Sequence, residues 1–523
     1  MRHRGLIPCA CSLLLAASWP AGAALPELHF SNDLSLTYSD IAGPGRSNTS
    51  LTQGTRYTNL LNTNGNGKAG GYDYNFSVGG KATDDKRNDI KVFSLTNLQG
   101  RLSNGVHTFN LGDTFENFSQ YALATSLKGA SYKFAQPGTN LPEVTGIFGY
   151  AYPRWDNFYG DHAVRVVERQ AFGGRIKQPL GADLWGGASM VRSVDTHRRS
   201  SSDPLENANV YTGDWEYKPI PGLTVAGEHS WSNTGESPSE GAANTSFNGN
   251  AQRVEAVGDA DPSRVSLEME RVSPKYETLL GAATPDRLKA NAKWRYLATK
   301  RVTVNSGMLW FRDDVEGQKA APTHNWQPEL GVTVKALAGR PYASTGLNYK
   351  FSRRYGPAQD SADHFFNLNY KDRFWELDND TNLGYTFYSA NRDSKEYTYN
   401  TTLSTRKTAG EVVLRPQVAA GGWTSNDELS MVSERIYEFS VGCGVEVPRW
   451  KLTSDLKVGQ NSLDRPGTDN SRKAFADLGV YYRPSLLGRT TVYLRGYLNE
   501  FRYSAADRDF RERSVTSGVS IEF

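Results

Sequence analysis

The chain has 523 residues, 38% apolar and 22% charged, with 59 Lys plus Arg against 56 Asp plus Glu and only three Cys. So even a charge balance gives no reason to expect nucleic acid, three cysteines exclude a disulfide framework or a multi-cysteine metal site, and a mean hydropathy of -0.57 excludes a bundle of transmembrane helices. What remains is a polar chain unusually rich in Tyr (27), Phe (22), Trp (11) and Gly (50), a mixture that fits strands with one apolar and one wet face.

The chain opens on a basic Met1-Arg2-His3-Arg4, followed by an apolar run through Leu13-Leu14-Leu15 and the small residues Ala21-Gly22-Ala23. This is the three-part pattern of a secretory signal peptide, so residues 1–23 are expected to be cleaved and 24–523 to form the mature protein. Cys9 and Cys11 leave with the leader, and Cys443 stays. The first strand is expected almost at once, at Leu28, which leaves no room for an N-terminal plug domain.

Beyond the leader one period repeats. Tyr72, Tyr74, Phe76 and Val78 alternate with Asp73, Asn75 and Ser77. Tyr211, Gly213, Trp215 and Tyr217 alternate with polar residues, and Leu223, Val225, Gly227, His229 and Trp231 follow after a short turn. Leu288, Ala290, Ala292, Trp294 and Tyr296 alternate with Arg287, Lys289, Asn291, Lys293 and Arg295. A side-chain period of two puts each apolar set on one face of a strand. Segments of about ten residues suit tilted crossings of a bilayer. Tyr72, Tyr74, Trp215, Tyr217, Trp231, Trp294 and Tyr296 are candidates for an interfacial aromatic girdle.

Candidate strands number about 26, with 22–24 as the nearest alternatives. The weak stretches are 248–258 and 373–379. Most of the alternate connections are short, as at Ser103-Asn104, Ile220-Pro221 and Val447-Pro448. The intervening ones are longer: 115–125, 154–163, 197–206, 460–472 and, longest of all, 233–247. The expected fold is all-β: a single transmembrane antiparallel β-barrel with short periplasmic turns and modest extracellular loops. Such a count closes a barrel of roughly 50 Å between opposite backbones.

The inward face carries candidate lumen charges. Arg287, Lys289, Lys293 and Arg295 form a basic row, and Arg264, Glu268 and Glu270 on the preceding strand are placed to neutralise part of it. A wet wall with balanced charges is favoured over a contact surface for an inserted partner or an anionic solute. Tyr150, Tyr152, Trp155 and Phe158 cluster in one connection, read as girdle aromatics ahead of a grip for sugars or a partner. The segment from Gly112 to Thr125 is read as an ordinary surface loop, with an inward fold as the alternative. The histidines form no metal motif, no Gly-x-Ser-x-Gly elbow is present, and no Cys-x-x-Cys-His attaches haem. No catalytic, cofactor or metal residue is assigned, and an enzyme is not expected.

The ending Gly518-Val519-Ser520-Ile521-Glu522-Phe523 resembles the C-terminal strand of bacterial outer-membrane β-barrels, the porin-like superfamily. The resemblance implies a Gram-negative outer membrane and an assembly signal in Val519, Ile521 and Phe523, read by the barrel assembly machinery. A wide pore with no plug also resembles, in architecture, the large barrel of porin–cytochrome conduits. The mature start Ala24-Leu25-Pro26-Glu27-Leu28 lacks the Cys-x-x-Cys that some members carry there. A hole that wide is expected to be occupied or gated by a partner protein rather than left open. Three functions stay open: a porin-like channel, a sheath around a protein filling the lumen (a multihaem cytochrome or a lipoprotein), and an exopolysaccharide or lipid export barrel.

Overall fold

The computed structural model describes residues 27–159, 167–196, 203–241, 243–357, 359–389, 393–465, 470–485 and 489–523. The expected leader and its cleavage site lie outside the described residues. Twenty-seven strand segments form one antiparallel sheet. Two of them, β20 (Ser394–Thr405) and β21 (Lys407–Ala409), both pair with β22 (Val412–Asp427) and are successive parts of one stave, so the barrel has 26. It closes where β1 (Glu27–Ala42) pairs with β27 (Phe510–Glu522), from Ser31 opposite Glu522 to Ala42 opposite Arg511. Closure pairs the first strand with the last, so neither is left with a wholly free edge.

The alternation settles which face is which. On β1, Leu34, Leu36 and Tyr38 are exposed on the outside. The inward Thr37 and Ser39 hydrogen-bond Thr516 (2.8 Å) and Ser514 (3.1 Å) of β27. Elsewhere Trp231 is 53% exposed and Met269 61%, outward-facing apolar side chains that water would not tolerate as a continuous belt. The belt is a lipid-facing surface, and the chain is a membrane-spanning β-barrel. At the closing seam Phe523 N–H donates to the Phe30 carbonyl at 2.9 Å, and Phe30 N–H returns the bond at 3.2 Å.

Turns at one end are tight. β2 (Gly54–Ala69) and β3 (Tyr72–Thr83) are joined by Gly70-Gly71, with φ +55° and +82°, the left-handed pair that a two-residue hairpin turn requires. The stretch 373–379 resolves into the two-residue turn Trp375-Glu376 between β18 (Gln359–Phe374) and β19 (Leu377–Ser389). The stretch 248–258 lies inside β12 (Thr245–Ala260) in unbroken register. One expectation is corrected here: the longest loop is not 233–247. β11 (Leu223–Ser237) and β12 stay paired up to Glu236 opposite Thr245, helped by Asn233 Nδ2 donating to Asn248 Oδ1 at 2.7 Å. Polar side chains do not end a strand whose backbone ladder continues above the lipid. Among the fully described connections the longest is 273–286.

Candidate functional site in the barrel lumen

Two connections turn into the lumen. The first follows β5 (His107–Phe115), whose ladder with β4 (Phe93–Ser103) runs only from Ser103 opposite Thr108 to Gln99 opposite Gly112. Gly112 has φ +93°, and a Cβ there would meet the Leu98 carbonyl oxygen at 2.0 Å, so only glycine allows this close bend. Beyond it, Glu116 accepts hydrogen bonds from inward-facing Ser131 (2.7 Å) and Asn110 (3.1 Å). The chain then buries Phe118, Tyr121, Ala122 and Leu123 inside the barrel. The reading of 112–125 as a surface loop therefore gives way to its alternative, an inward fold.

The second is 273–286, between β13 (Ser263–Val272) and β14 (Arg287–Leu297). It joins the first through two backbone bonds: Ala124 N–H to the Leu280 carbonyl (3.0 Å) and Ala282 N–H to the Gln120 carbonyl (2.7 Å). The Tyr121 and Tyr276 rings meet edge to face at 5.8 Å. Both loops rest on an inner wall from which long side chains have been removed. Ala171, Val191, Val210, Ala251 and Val272 are buried inward positions on β8 (Arg169–Pro179), β9 (Leu184–Asp195), β10 (Leu205–Ile220), β12 and β13. On β11 the equivalent Ser230 is fully buried and shares a 2.9 Å hydrogen bond with the Tyr276 hydroxyl.

Below the loops the wall is charged and largely paired. Tyr121 donates its hydroxyl to Glu270 Oε1 at 2.9 Å and its N–H to Glu228 Oε1 at 3.3 Å. Lys289 bridges Glu268 (3.0 Å) and Glu270 (3.4 Å), Arg253 reaches Glu268 (3.2 Å), and Arg175 pairs with Asp214 (2.6 Å). Burial pushes the Tyr121 phenol well above its ordinary range, and the charge and hydrogen bond of Glu270 add to that, so it stays a donor. Burial likewise raises the Tyr276 phenol.

The candidate lumen charges thus divide. Glu268, Glu270 and Lys289 come together under the loops. Arg264 leans instead on Asp259 across its turn, at 3.6 Å, and faces Arg295 in register. Arg287 lies over the Phe311 ring at 4.6 Å. Lys293 and Arg295 are exposed on the same inward face. Of the girdle candidates, Trp215, Tyr217, Trp231 and Trp294 are exposed, and Tyr72, Tyr74 and Tyr296 half-buried, all at outward positions of their strands. Sequence reasoning missed Tyr276 and Arg253, and it placed Asp214 and Glu228 on the wet face without linking them to an inward loop. The available signal was the run of small inward residues at matching heights on neighbouring strands, where a wet wall would carry long polar ones.

A third connection seals a gap. Beyond Gly112 strands β4 and β5 separate, and the short 3-10 helix Trp155–Tyr159, which follows β7 (Glu143–Tyr150), caps the opening. Asp113 gathers three donors there: Leu98 N–H (2.9 Å), Trp155 Nε1 (2.8 Å) and Lys128 Nζ (2.7 Å). Arg154 bridges Asp89 (2.9 Å) and Asp156 (2.7 Å). Tyr150, Tyr152, Trp155 and Phe158 pack on one another with centroids 5.1 to 5.4 Å apart, which makes them the core of a cap.

No protein-family model matches the chain, and neither does any curated protein. Among solved structures it is similar to the PapC translocation pore of the P pilus usher, at 12% identity over 94% of this chain and 99% of that one, with a TM-score of 0.38. The siderophore receptor PirA from Pseudomonas aeruginosa shares 11% identity over 95% of this chain and 80% of its own, at a TM-score of 0.45. OpdK from the same organism, solved with vanillate, shares 11% over 95% and 99%, at 0.31. The likeness is that of large barrels and extends to no cargo.

Proposed function

We propose that the chain is a passive conduit across a Gram-negative outer membrane, a wide pore narrowed from one side and working by transport rather than catalysis. The observation that carries this reading is the placement of the two inward loops. They cover only the wall from β5 to β14, while 26 staves enclose roughly 50 Å between opposite backbones. Loops of this size occlude part of such a lumen and leave a passage beside them. The C-terminal strand, with Val519, Ile521 and Phe523, would engage the assembly machinery, and the leader would be removed on export.

A second reading is supported by one feature, the exposed inward cations Arg264, Lys293 and Arg295 near the turn end of β13 and β14. They suit an acidic protein partner seated in the remaining lumen, a multihaem cytochrome or a lipoprotein among the candidates, and the barrel would then be its sheath. Purification in mild detergent followed by planar-bilayer recording separates the two. A conductive barrel free of other proteins supports the conduit. A stoichiometric acidic partner, lost when Lys293 and Arg295 are both changed to Glu, supports the sheath. A barrel that is alone and non-conductive contradicts both.

A further inference from the structure

Across the lumen from the loops, the wall changes character. On β17 (Arg340–Gly356), β18, β19 and β20 amides recur among the inward positions at mid-height, as Asn348, Asn367, Asn369, Asn382 and Asn400, interleaved with Gly346, Gly384 and Thr398. They are strand neighbours. Asn348 lies opposite Asn367, Asn369 opposite Asn382, and Asn382 opposite Asn400, and Asn367 Nδ2 donates to Asn382 Oδ1 at 2.7 Å. The row ends on β22 at the half-buried Trp423, which faces Thr398 in register. A recess of about 320 Å³ lies there, lined by Asn382, Asn400, Trp423 and Glu438. The charges nearer the turns cancel locally, Lys371 with Asp380 at 2.7 Å and Arg373 with Asp378 at 2.6 Å.

This chemistry is selective. Each amide offers two donors and an acceptor without charge, so the row cannot favour one sign of ion as a ring of like charges does. An aromatic face with a few placed polar groups beside it suits a ligand that is apolar on its faces and hydroxylated at its edge. Hexopyranose rings have that form, and a row of amides crossing four strands meets a chain of them better than a single ring. We propose that the inward face of β17 to β22 is a binding strip for neutral oligosaccharide or polysaccharide chains, with Trp423 as its stacking platform. The inference rests on the conduit reading and specifies which solute that passage would favour.

The test uses the purified full chain in planar bilayers with maltohexaose. The expected result is concentration-dependent interruption of the current, with residence time shortened about tenfold by Trp423→Ala and shortened also by the double variant N382A/N400A. A polyethylene glycol of matched length and a hexameric polyuronate should interrupt the current far less. An open channel indifferent to maltohexaose, a Trp423→Ala channel with unchanged residence time, or equal interruption by the polyethylene glycol would each overturn the strip and leave the conduit standing. If the barrel passes no current, the conduit reading fails. Calorimetric titration of the detergent-solubilised protein with maltohexaose then still decides the strip, which is overturned if no Trp423-dependent heat is seen. Heat-modifiable migration on gels confirms that each variant is folded.

Discussion

Gly249 lies directly beneath Tyr276: a Cβ built on Gly249 would come within 2.2 Å of both the Cα and the backbone N of Tyr276. The inner wall of β12 and the backbone of the 273–286 loop are therefore in contact only because this wall position has no side chain. Strand interiors generally lose stability at glycine, so its placement here marks where another backbone approaches.

Gly249→Val is accordingly expected to lift the 273–286 loop off the wall without unfolding the barrel, whose ladder at that position needs no glycine conformation. Single-channel conductance should rise, and amides 273–286 should exchange faster with deuterium. An unchanged conductance would separate the loop from the constriction.

Tyr121→Phe removes the hydroxyl that Glu270 accepts, while Lys289 and Gln120 still contact that carboxylate. The loss of one hydrogen bond to a charged group amounts to about 1.5 kcal/mol. It should appear as roughly tenfold faster opening of residues 116–125 in native-state hydrogen exchange.

Seating of the second loop should depend on pH through Glu277. Burial raises this carboxyl above its ordinary range, and the nearby Glu206 and Glu236 add to the rise against Arg169. A carboxyl raised in the seated state disfavours seating when ionised. The loop is thus held best in acid, and that advantage is lost as pH climbs through the raised pKa. The channel should spend more time narrowed at about pH 5 than at about pH 7.5, and Glu277→Gln should remove most of the difference. A wild-type response of opposite sign would show that another group governs the loop.

Asp113 holds the cap over the β4–β5 gap through three donors, one of them the buried Lys128. Asp113→Asn leaves that ammonium without its counter-charge, a loss of about 3 kcal/mol for a buried pair. The temperature at which the folded gel band disappears should fall, with early protease cleavage within the described part of 151–168.

Most of the fold was legible because one physical rule is applied at every crossing. Tyr211, Trp215 and Trp231 must face lipid and Asp214 and Glu228 must not, so a period of two is written along the chain. The pairing of Lys289 with Glu268 and Glu270 was legible for the same reason, since cross-strand neighbours follow from register. Arg264 was not, because its partner Asp259 lies across a two-residue turn on the other neighbouring strand. The inward loops were harder. A loop shows no period, and Tyr121 or Tyr276 reads like any surface aromatic until the wall beneath is seen to be Ala171, Val191, Val210 and Ser230. Their signal is spread over several strands that become neighbours only when the barrel closes.

Residues 116–125 and 273–286 narrow from one wall a lumen that these two loops are too small to seal. The most direct test is the size limit for neutral polymers entering proteoliposomes, measured for the full chain and for a variant with 117–124 replaced by a short Gly-Ser link. The expected result is a broad, weakly ion-selective passage whose size limit rises when the loop is removed. A narrow, strongly ion-selective pore with the same limit in both proteins would contradict it.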